Sequence, residues 1–600
     1  MTTNDDVADR LEEFADLLEA QGVEYKPRAY RRAAENVRES PDDVERLADD
    51  GEDAVAEIEG VGDAIASKVV EYVETGSIAE LDELRAELPV DMEALTRVEG
   101  VGPKTVGALY EALGVETLDD LEAAAAAGEI REVSGFGAKT EQNIAENIEF
   151  AREATERELL GQARPYGERV VEYMESRESA AAVDLAGSLR RWKETIGDVD
   201  VLVGSADSTA VVDAFTDWPE ADSVIEAGEQ KASVRAGGVR VDCRVVDPSE
   251  FGAALQYFTG SKDHNVALRN RAIDRDLKMN EYGVFRVARS ATGSRTQSDD
   301  DVSEAALDAS GEDPEADQRA GERVAGETEV GMYEALDLPP IPPEMRENWG
   351  EIEAAESGEL PDLVAEDDVR GDLHVHTGWS DGDNTIAEMV AGAAEVGHDY
   401  VAVTDHATGP GMVGGVGVSD EQLREQIPEV RAVGDDADIA VFTGVEANIG
   451  TDGSISVAED LLADLDVVVA SPHAGLDGDG TDRLVAAAEH PAVDVIGHPT
   501  GRYLNQRRGL DVDVERLATV AAEHDTALEI NANTRRLDLG GSAVKTAVKA
   551  GATVAVNTDA HRPAGYEQIR YGVHTARRGW AATTDVLNTR GPDGIREFVA

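Results

Sequence analysis

The spacing of hydrophobic and polar positions changes twice along the chain, and each change marks a different architecture. Up to about residue 150, apolar residues recur three and four apart, as at Leu11, Phe14, Leu17 and Leu18, which predicts short amphipathic helices joined by glycine-centred turns. From about residue 180 the pattern becomes β-rich, with AAVDLAG, DVDVLVG and VRVDCRVV interrupted by helices, as in an α/β domain. A second α/β unit begins near Gly371, where VAVTDH, DIAVFTGVE, VVVASPH, DVIGHP, ALEINA and TVAVNTDAH alternate with helical stretches. Six or seven such repeats predict a barrel with its chemistry at the carboxyl ends of the strands. Residues 290–326 are too polar and charged to support a core and are expected to form a disordered insertion. The Pro-rich LPPIPPEMREN, from Leu338 to Asn348, reads as a stiff connector.

Composition adds constraints. At 600 residues the chain exceeds what one hydrophobic core organises, so several domains are expected. It shows no run apolar and long enough to cross a membrane and no secretory signal at its start, and a cytoplasmic address is expected. A single cysteine, Cys243, excludes an intrachain disulfide framework and Cys-based zinc fingers, leaving histidine and carboxylate as metal ligands. The 125 acidic and 54 basic residues give a net charge of −71, spread along the whole chain. Such a surface suits concentrated salt and points to a halophilic cytosol, where self-repulsion is screened. Binding to a polyanion there must lean on local amide and arginine contacts, because counterion release weakens with salt.

Three motif groups carry chemistry. EGVG at 59–62, EGVGPKT at 99–105 and SGFGAKT at 134–140 each precede a helix. Their glycines, Gly60 and Gly62, Gly100 and Gly102, Gly135 and Gly137, permit tight turns and expose helix N-terminal amides to a phosphate oxygen without reading bases. In AGSLRRWKETIGDVDVLV, Asp198 and Asp200 stand two apart and share a strand face, where they could hold divalent cations. Upstream, Gly187 and Ser188 fall at a strand-to-helix junction able to grip a triphosphate, and Arg191 adds a permanent cation. A third carboxylate, Asp242, alternates with Arg240 and Arg244. The third group is a histidine skew: 10 of the 11 histidines follow residue 370. His374 and His376 share a strand face, Asp381 follows, and His406, Glu446, His473, His498, Asp559 and His561 end successive predicted strands. These nine N and O ligands suit two or three Mn²⁺ or Zn²⁺ ions. His398, His490, His524 and His574 fall outside the pattern and are assigned structural roles.

The GSLRR segment followed by GDVD and a later RVD resembles the polymerase beta-like family X DNA polymerases, and the glycine turns look like helix-hairpin-helix motifs. YFTGSKDHNVALR resembles the family's nucleotide-selecting segment, which implies that Tyr257, Phe258, Gly260 and Asn265 meet the incoming nucleotide and that Arg269, with Arg240, meets DNA. Lys262 stands where a familiar relative has an acidic residue. The resemblance also matches Lys68 to the family's Schiff-base lysine; the alternative is an exposed structural lysine, since Ala64 and acidic surroundings supply no cation to depress its pKa. The nine-ligand pattern resembles the polymerase and histidinol phosphatase (PHP) family, of (β/α)7 type.

Together these resemblances imply a lyase-like helical domain at 1–82, a helix-hairpin-helix subdomain at 83–150, a nucleotidyltransferase palm at 151–248, a nucleotide-selection subdomain at 249–335, a linker at 336–370 and a PHP domain at 371–600. They imply gap-filling synthesis in base excision repair, with Asp198, Asp200 and Asp242 binding Mg²⁺ or Mn²⁺, and a PHP 3′-to-5′ exonuclease that could extend to cutting abasic sites. Gapped or nicked DNA and deoxynucleoside triphosphates are the implied partners, and a monomer is expected. A PHP phosphatase for small molecules and a non-catalytic gapped-DNA scaffold are the alternatives.

Overall fold

The computed structural model describes residues 4–599 except 24–25, 39, 41–43, 59, 99, 156, 287–317, 410 and 412–415. The chain divides into two compact units, Met1–Glu158 with Asn505–Arg508, and Leu159–Leu504 with Gly509–Ala600.

In its described residues the Met1–Glu158 segment is helical. Leu11, Phe14, Leu17 and Leu18 face its core, with Phe14 stacked on Tyr30 at 4.5 Å between ring centroids. The three glycine turns lead into the helices Asp63–Thr75, Pro103–Leu113 and Ala138–Thr155. Gly60, Gly100 and Gly135 adopt φ of 76°, 84° and 97°, a left-handed conformation that costs glycine little and other residues much.

The second unit begins with a five-stranded mixed sheet: β1 (Ala182–Leu185), β2 (Val199–Gly204), β3 (Ser223–Ala227), β4 (Lys231–Ala236) and β5 (Val239–Val246) in the order β1-β2-β5-β4-β3. Only β2 and β5 pair in parallel; the other neighbours are antiparallel. Val199, Val201 and Val203 are buried on the face opposite the carboxylates, as their alternation requires. The helices Phe251–Thr259 and Lys262–Asp274 follow, then a small antiparallel sheet of β6 (Leu277–Asn280), β7 (Gly283–Arg286) and β8 (Glu322–Ala325).

The structure departs from expectation in two segments here. Most of the anticipated disordered insertion at 290–326 lies outside the described residues, but its end is ordered: β8 pairs with β7, where a ladder partner offsets the segment's polarity. The anticipated linker at 336–370 is packed. Leu336, Leu338, Ile341, Met345, Ile352 and Ala355 are buried with Met332 and Tyr333 in one apolar cluster, so this stretch continues the subdomain before it. Its prolines shape the chain locally, and its apolar residues decide where it goes.

Seven parallel strands complete the unit: β9 (Gly371–Val375), β10 (Tyr400–Val403), β11 (Ala440–Asn448), β12 (Val467–Ser471), β13 (Val495–Ile496), β14 (Ala527–Asn531) and β15 (Val554–Asn557), paired in sequence order. A parallel bridge from Val375 to Ala560 brings the first strand beside the last. Strands enclosed on both sides must be apolar throughout, which is why they read as runs rather than alternations.

Candidate active sites

The palm carboxylates are placed by register. Asp200 on β2 lies opposite Asp242 on β5 in the parallel ladder, and Asp198 sits one residue before β2. Burial, then Asp198 and Asp242, pushes the Asp200 carboxyl up to about 7. Asp242 stays below its usual range: burial opposes ionisation, but hydrogen bonds from Arg240 (2.8 Å) and Ser233 outweigh it. Crowded carboxylates that cannot all ionise comfortably suit divalent cations, so these residues fit the implied ions.

Beside them, β1 turns into the short helix Gly187–Arg190. Gly187 has φ +61°, and a Cβ there would fall 2.1 Å from Asp200 Oδ2, so the backbone can approach the carboxylates only because the residue has no side chain. Ser188 is half-buried in the same turn. Arg191, expected as a cation for the triphosphate, is already engaged. Its Nε donates to Glu347 at 3.1 Å and its Nη1 to the Thr259 carbonyl, which sets it against Gly260. Tyr257 and Phe258 are half-buried and edge-on to each other at 5.2 Å. Asn265 donates to the Tyr257 carbonyl at 2.7 Å and accepts from Gln256 at 2.8 Å, while Arg269 is exposed on the helix Lys262–Asp274.

All nine predicted barrel ligands converge at the carboxyl ends of the strands. Three overlapping groups have ligand atoms within 4.8 Å of one another: His376, Asp381, His406 and His561; His374, His376 and Glu446; His406, Glu446 and His473. His498 joins through Glu446 at 3.0 Å, and Asp559 through His376 at 3.0 Å. His374, His376 and Glu446 are completely buried. Burial would neutralise Glu446, yet His406, His473 and His374 hold it well below the carboxylate range. Buried Nε2 of His374, Nε2 of His473 and Oε2 of Glu446 make no hydrogen bond, which leaves donor atoms aimed at one another and suits the metal ions implied for the site. His498 and Asp559 hold left-handed backbones, with φ of 23° and 57°, the kind of strain a site retains when its surroundings enforce it.

Several residues of this site escaped the sequence reading. Glu529 lies 2.8 Å from His374 Nδ1 and accepts from Asn557, Asn531 and the His498 amide. Asn448 lies 2.8 Å from His473 Nδ1. Such partners set the tautomer and aim of a ligating imidazole. Asp405 anchors the turn before Asp381 by accepting from the Thr377 amide and hydroxyl and from Ser380. For Glu529 the available signal was a lone carboxylate inside the apolar run ALEIN, since a buried charge must have a partner. Of the histidines set aside, His574 stacks on Trp192 at 3.6 Å and His490 pairs with Glu459, both away from the cluster.

In the helical unit, Gly62, Gly100, Gly102, Gly135 and Gly137 have open space where a side chain would stand, whereas a Cβ on Gly60 would touch Asn36 and Arg32. Gly62 and Gly102 are helix N-caps and offer no side-chain oxygen to the first-turn amides. Lys68 departs from the reading of an exposed structural lysine. It is half-buried rather than exposed, and pairs with Glu80 at 2.7 Å. Burial pulls its pKa down, but Glu80, Tyr30 and Glu71 outweigh it and leave it above the ordinary value, the wrong direction for a nucleophilic amine.

Comparison with known proteins agrees with these parts. The "Helix-hairpin-helix domain" family matches residues 2–78, the "SAM-like Helix-hairpin-helix tandem" 92–149, the "DNA polymerase beta thumb" 254–347 and the "PHP domain" 372–533. "DNA polymerase/3'-5' exonuclease PolX" of Bacillus subtilis is 31% identical over 603 residues, covering 99% of each chain. "DNA polymerase lambda" of Rattus norvegicus is 26% identical over 303 residues, 46% of this chain and 48% of that one. A "Probable phosphatase" of Caldicellulosiruptor saccharolyticus is 33% identical over 189 residues, 30% of this chain and 74% of that one. No helix among the described residues is long and apolar enough to cross a membrane. A relative alike from end to end, and matches to hairpins, thumb and PHP domain in chain order, mean that the chain belongs to the family X DNA polymerases with a C-terminal PHP domain.

Proposed function

We propose that the chain fills short gaps in DNA from deoxynucleoside triphosphates at the palm and removes nucleotides from 3′ ends at the PHP barrel, working as a monomer in a salt-rich cytosol. The observation that carries the polymerase half is the register of Asp200 against Asp242 beside a Gly187 turn that only glycine fits. Asp198, Asp200 and Asp242 would hold Mg²⁺ or Mn²⁺, and the nine barrel residues Mn²⁺ or Zn²⁺. Such ions, when bound, polarise a phosphoryl group and ease deprotonation of the attacking oxygen. The protein's own contribution is placement. The Gly187 and Ser188 turn cradles the triphosphate, Thr259 and Gly260 are fixed through Arg191, and Tyr257, Phe258 and Asn265 bound the nucleotide. The Gly-turn amides hold phosphates of the flanking duplex, with Arg240 and Arg269 as the cationic contacts. In the barrel, Glu529 and Asn448 orient His374 and His473.

A second reading has one observation in its favour: the barrel resembles a chain named as a probable phosphatase, so small phosphomonoesters are candidate substrates. One experiment separates the readings. With Mn²⁺ in molar KCl, a gapped duplex should gain a nucleotide when triphosphates are present and lose 3′ nucleotides when they are not. Release of inorganic phosphate from small esters, with DNA ends untouched, would transfer the barrel to the second reading.

A further inference from the structure

The turn that would hold the triphosphate is followed at once by residues gripped from the barrel. Arg578, the last residue of the helix Ile569–Arg578, is only 2% exposed, and its Nη1 donates to the main-chain carbonyl of Arg191 at 2.7 Å and to Glu347 at 3.2 Å. Glu347 in turn accepts from Arg191 Nε. Next along the chain, Trp192 holds a left-handed backbone (φ 54°) and lies flat on His574 of the same barrel helix, with the ring planes 4° apart. Two residues further, Glu194 pairs with Arg502 of the barrel at 3.3 Å. Burial would raise the Glu194 carboxyl, but Arg502, Arg578 and Lys193 hold it at about 2. Three barrel side chains, two of them cations, therefore hold Arg191, Trp192 and Glu194, directly after Gly187 and Ser188.

This grip has structural weight. A buried guanidinium is costly unless paired, so Arg578 is a poor choice for filling space. What it does well is fix a carbonyl and a carboxylate at the same time. Both of its partners belong to the nucleotide side: the Arg191 carbonyl is the end of the phosphate turn, and Glu347 orients the guanidinium that holds the Thr259 carbonyl beside Gly260. One barrel arginine is thus bonded directly to the end of the triphosphate turn and, through Glu347 and Arg191, linked to the nucleotide-selecting turn.

We propose that Arg578 is a positioning residue for nucleotide addition, so that the PHP barrel builds part of the polymerase's nucleotide site independently of its own hydrolysis. This rests on the polymerase reading above. The test uses the full chain with Arg578→Met, Arg578→Lys and, as an independent tether, Arg502→Met, each assayed for single-nucleotide addition to a gapped duplex and for 3′-end degradation. For Arg578→Met the nucleotide KM should rise roughly tenfold or more with kcat within about twofold, because the turn is misplaced while the metal-binding carboxylates are not. Arg578→Lys should recover part of the loss by donating one bond, Arg502→Met should shift KM in the same sense, and degradation by the two Arg578 variants should match the unmodified chain.

An unchanged KM in Arg578→Met overturns the proposal. So does a fall in kcat at constant KM with a parallel loss of degradation, which would assign Arg578 to general stability. If Arg578→Met does not fold, Arg502→Met decides on the same readout. Absence of nucleotide addition by the unmodified chain would instead refute the polymerase reading itself.

Discussion

Gly187→Ala is a one-methyl test of how the palm is built. The new Cβ would stand 2.1 Å from Asp200 Oδ2, and the carboxylate must withdraw by about 1.3 Å to reach ordinary contact. Residue 187 also has φ +61°, where an alanine costs about 1–2 kcal/mol more than glycine. That strain is a fraction of a typical domain's stability of about 5–15 kcal/mol, so the protein should still fold. Catalysis is less tolerant, since displacing a reacting or metal-holding group by about 1 Å costs on the order of 100-fold. Single-turnover addition of one nucleotide to a gapped primer should therefore slow by about 100-fold. Degradation of a 3′ end by the same preparation serves as the folding control and should keep its rate. Addition within threefold of the unmodified rate would show that Asp200 need not stay where the structure places it, and the assigned palm geometry would be wrong.

Other outcomes follow from the two centres and the hairpins. Asp242→Ala should abolish addition and leave degradation, whereas His374→Ala should do the converse and lower the bound transition metal; paired assays on one gapped substrate with Mn²⁺, with metal analysis, check both. A Cβ on Gly102 would have no neighbour within 4 Å, so Gly102→Ala should weaken binding to gapped DNA of any sequence without unfolding the domain; sequence-selective weakening in titrations would contradict the amide mechanism. Asp494, which accepts from the Val468 amide at 2.7 Å, is pushed up to about 7 by burial. Its folded pKa lies above its unfolded value near 3.8, so its contribution is full below about pH 4 and is lost as pH rises through about 7. Asp494→Asn should raise stability at pH 8 by about 1–2 kcal/mol after allowance for solvent screening, with little gain at pH 4; thermal unfolding at the two pH values decides. With a net charge of −71, folding and activity should peak in molar KCl, and full cooperative unfolding transitions already present at about 50 mM salt would refute that.

Local periodicity carried much of this protein. A strand's two-residue repeat sets Asp198 with Asp200 and His374 with His376 whatever lies around them, and a parallel barrel delivers whatever ends its strands to one rim. The glycine turns were equally legible, because positive φ is a property of single residues. Contacts between residues distant in sequence were not. Glu529 meets His374 across 155 positions, Arg578 meets Arg191 across 387, and Lys68 is paired and held charged by Glu80 from the next helix, none of which any local pattern encodes. The connector misled for the same reason: its prolines describe stiffness, while Leu338, Ile341 and Met345 are buried in a cluster with residues from other elements, Leu268, Val284 and Tyr333 among them. Sequence determined which chemical groups stand on which face of each element. Packing decided which faces meet, and so which imidazoles are oriented, which lysine is held charged, and that the barrel grips the palm's nucleotide turn, since side-chain pKa and aim depend on neighbours that only the folded chain supplies.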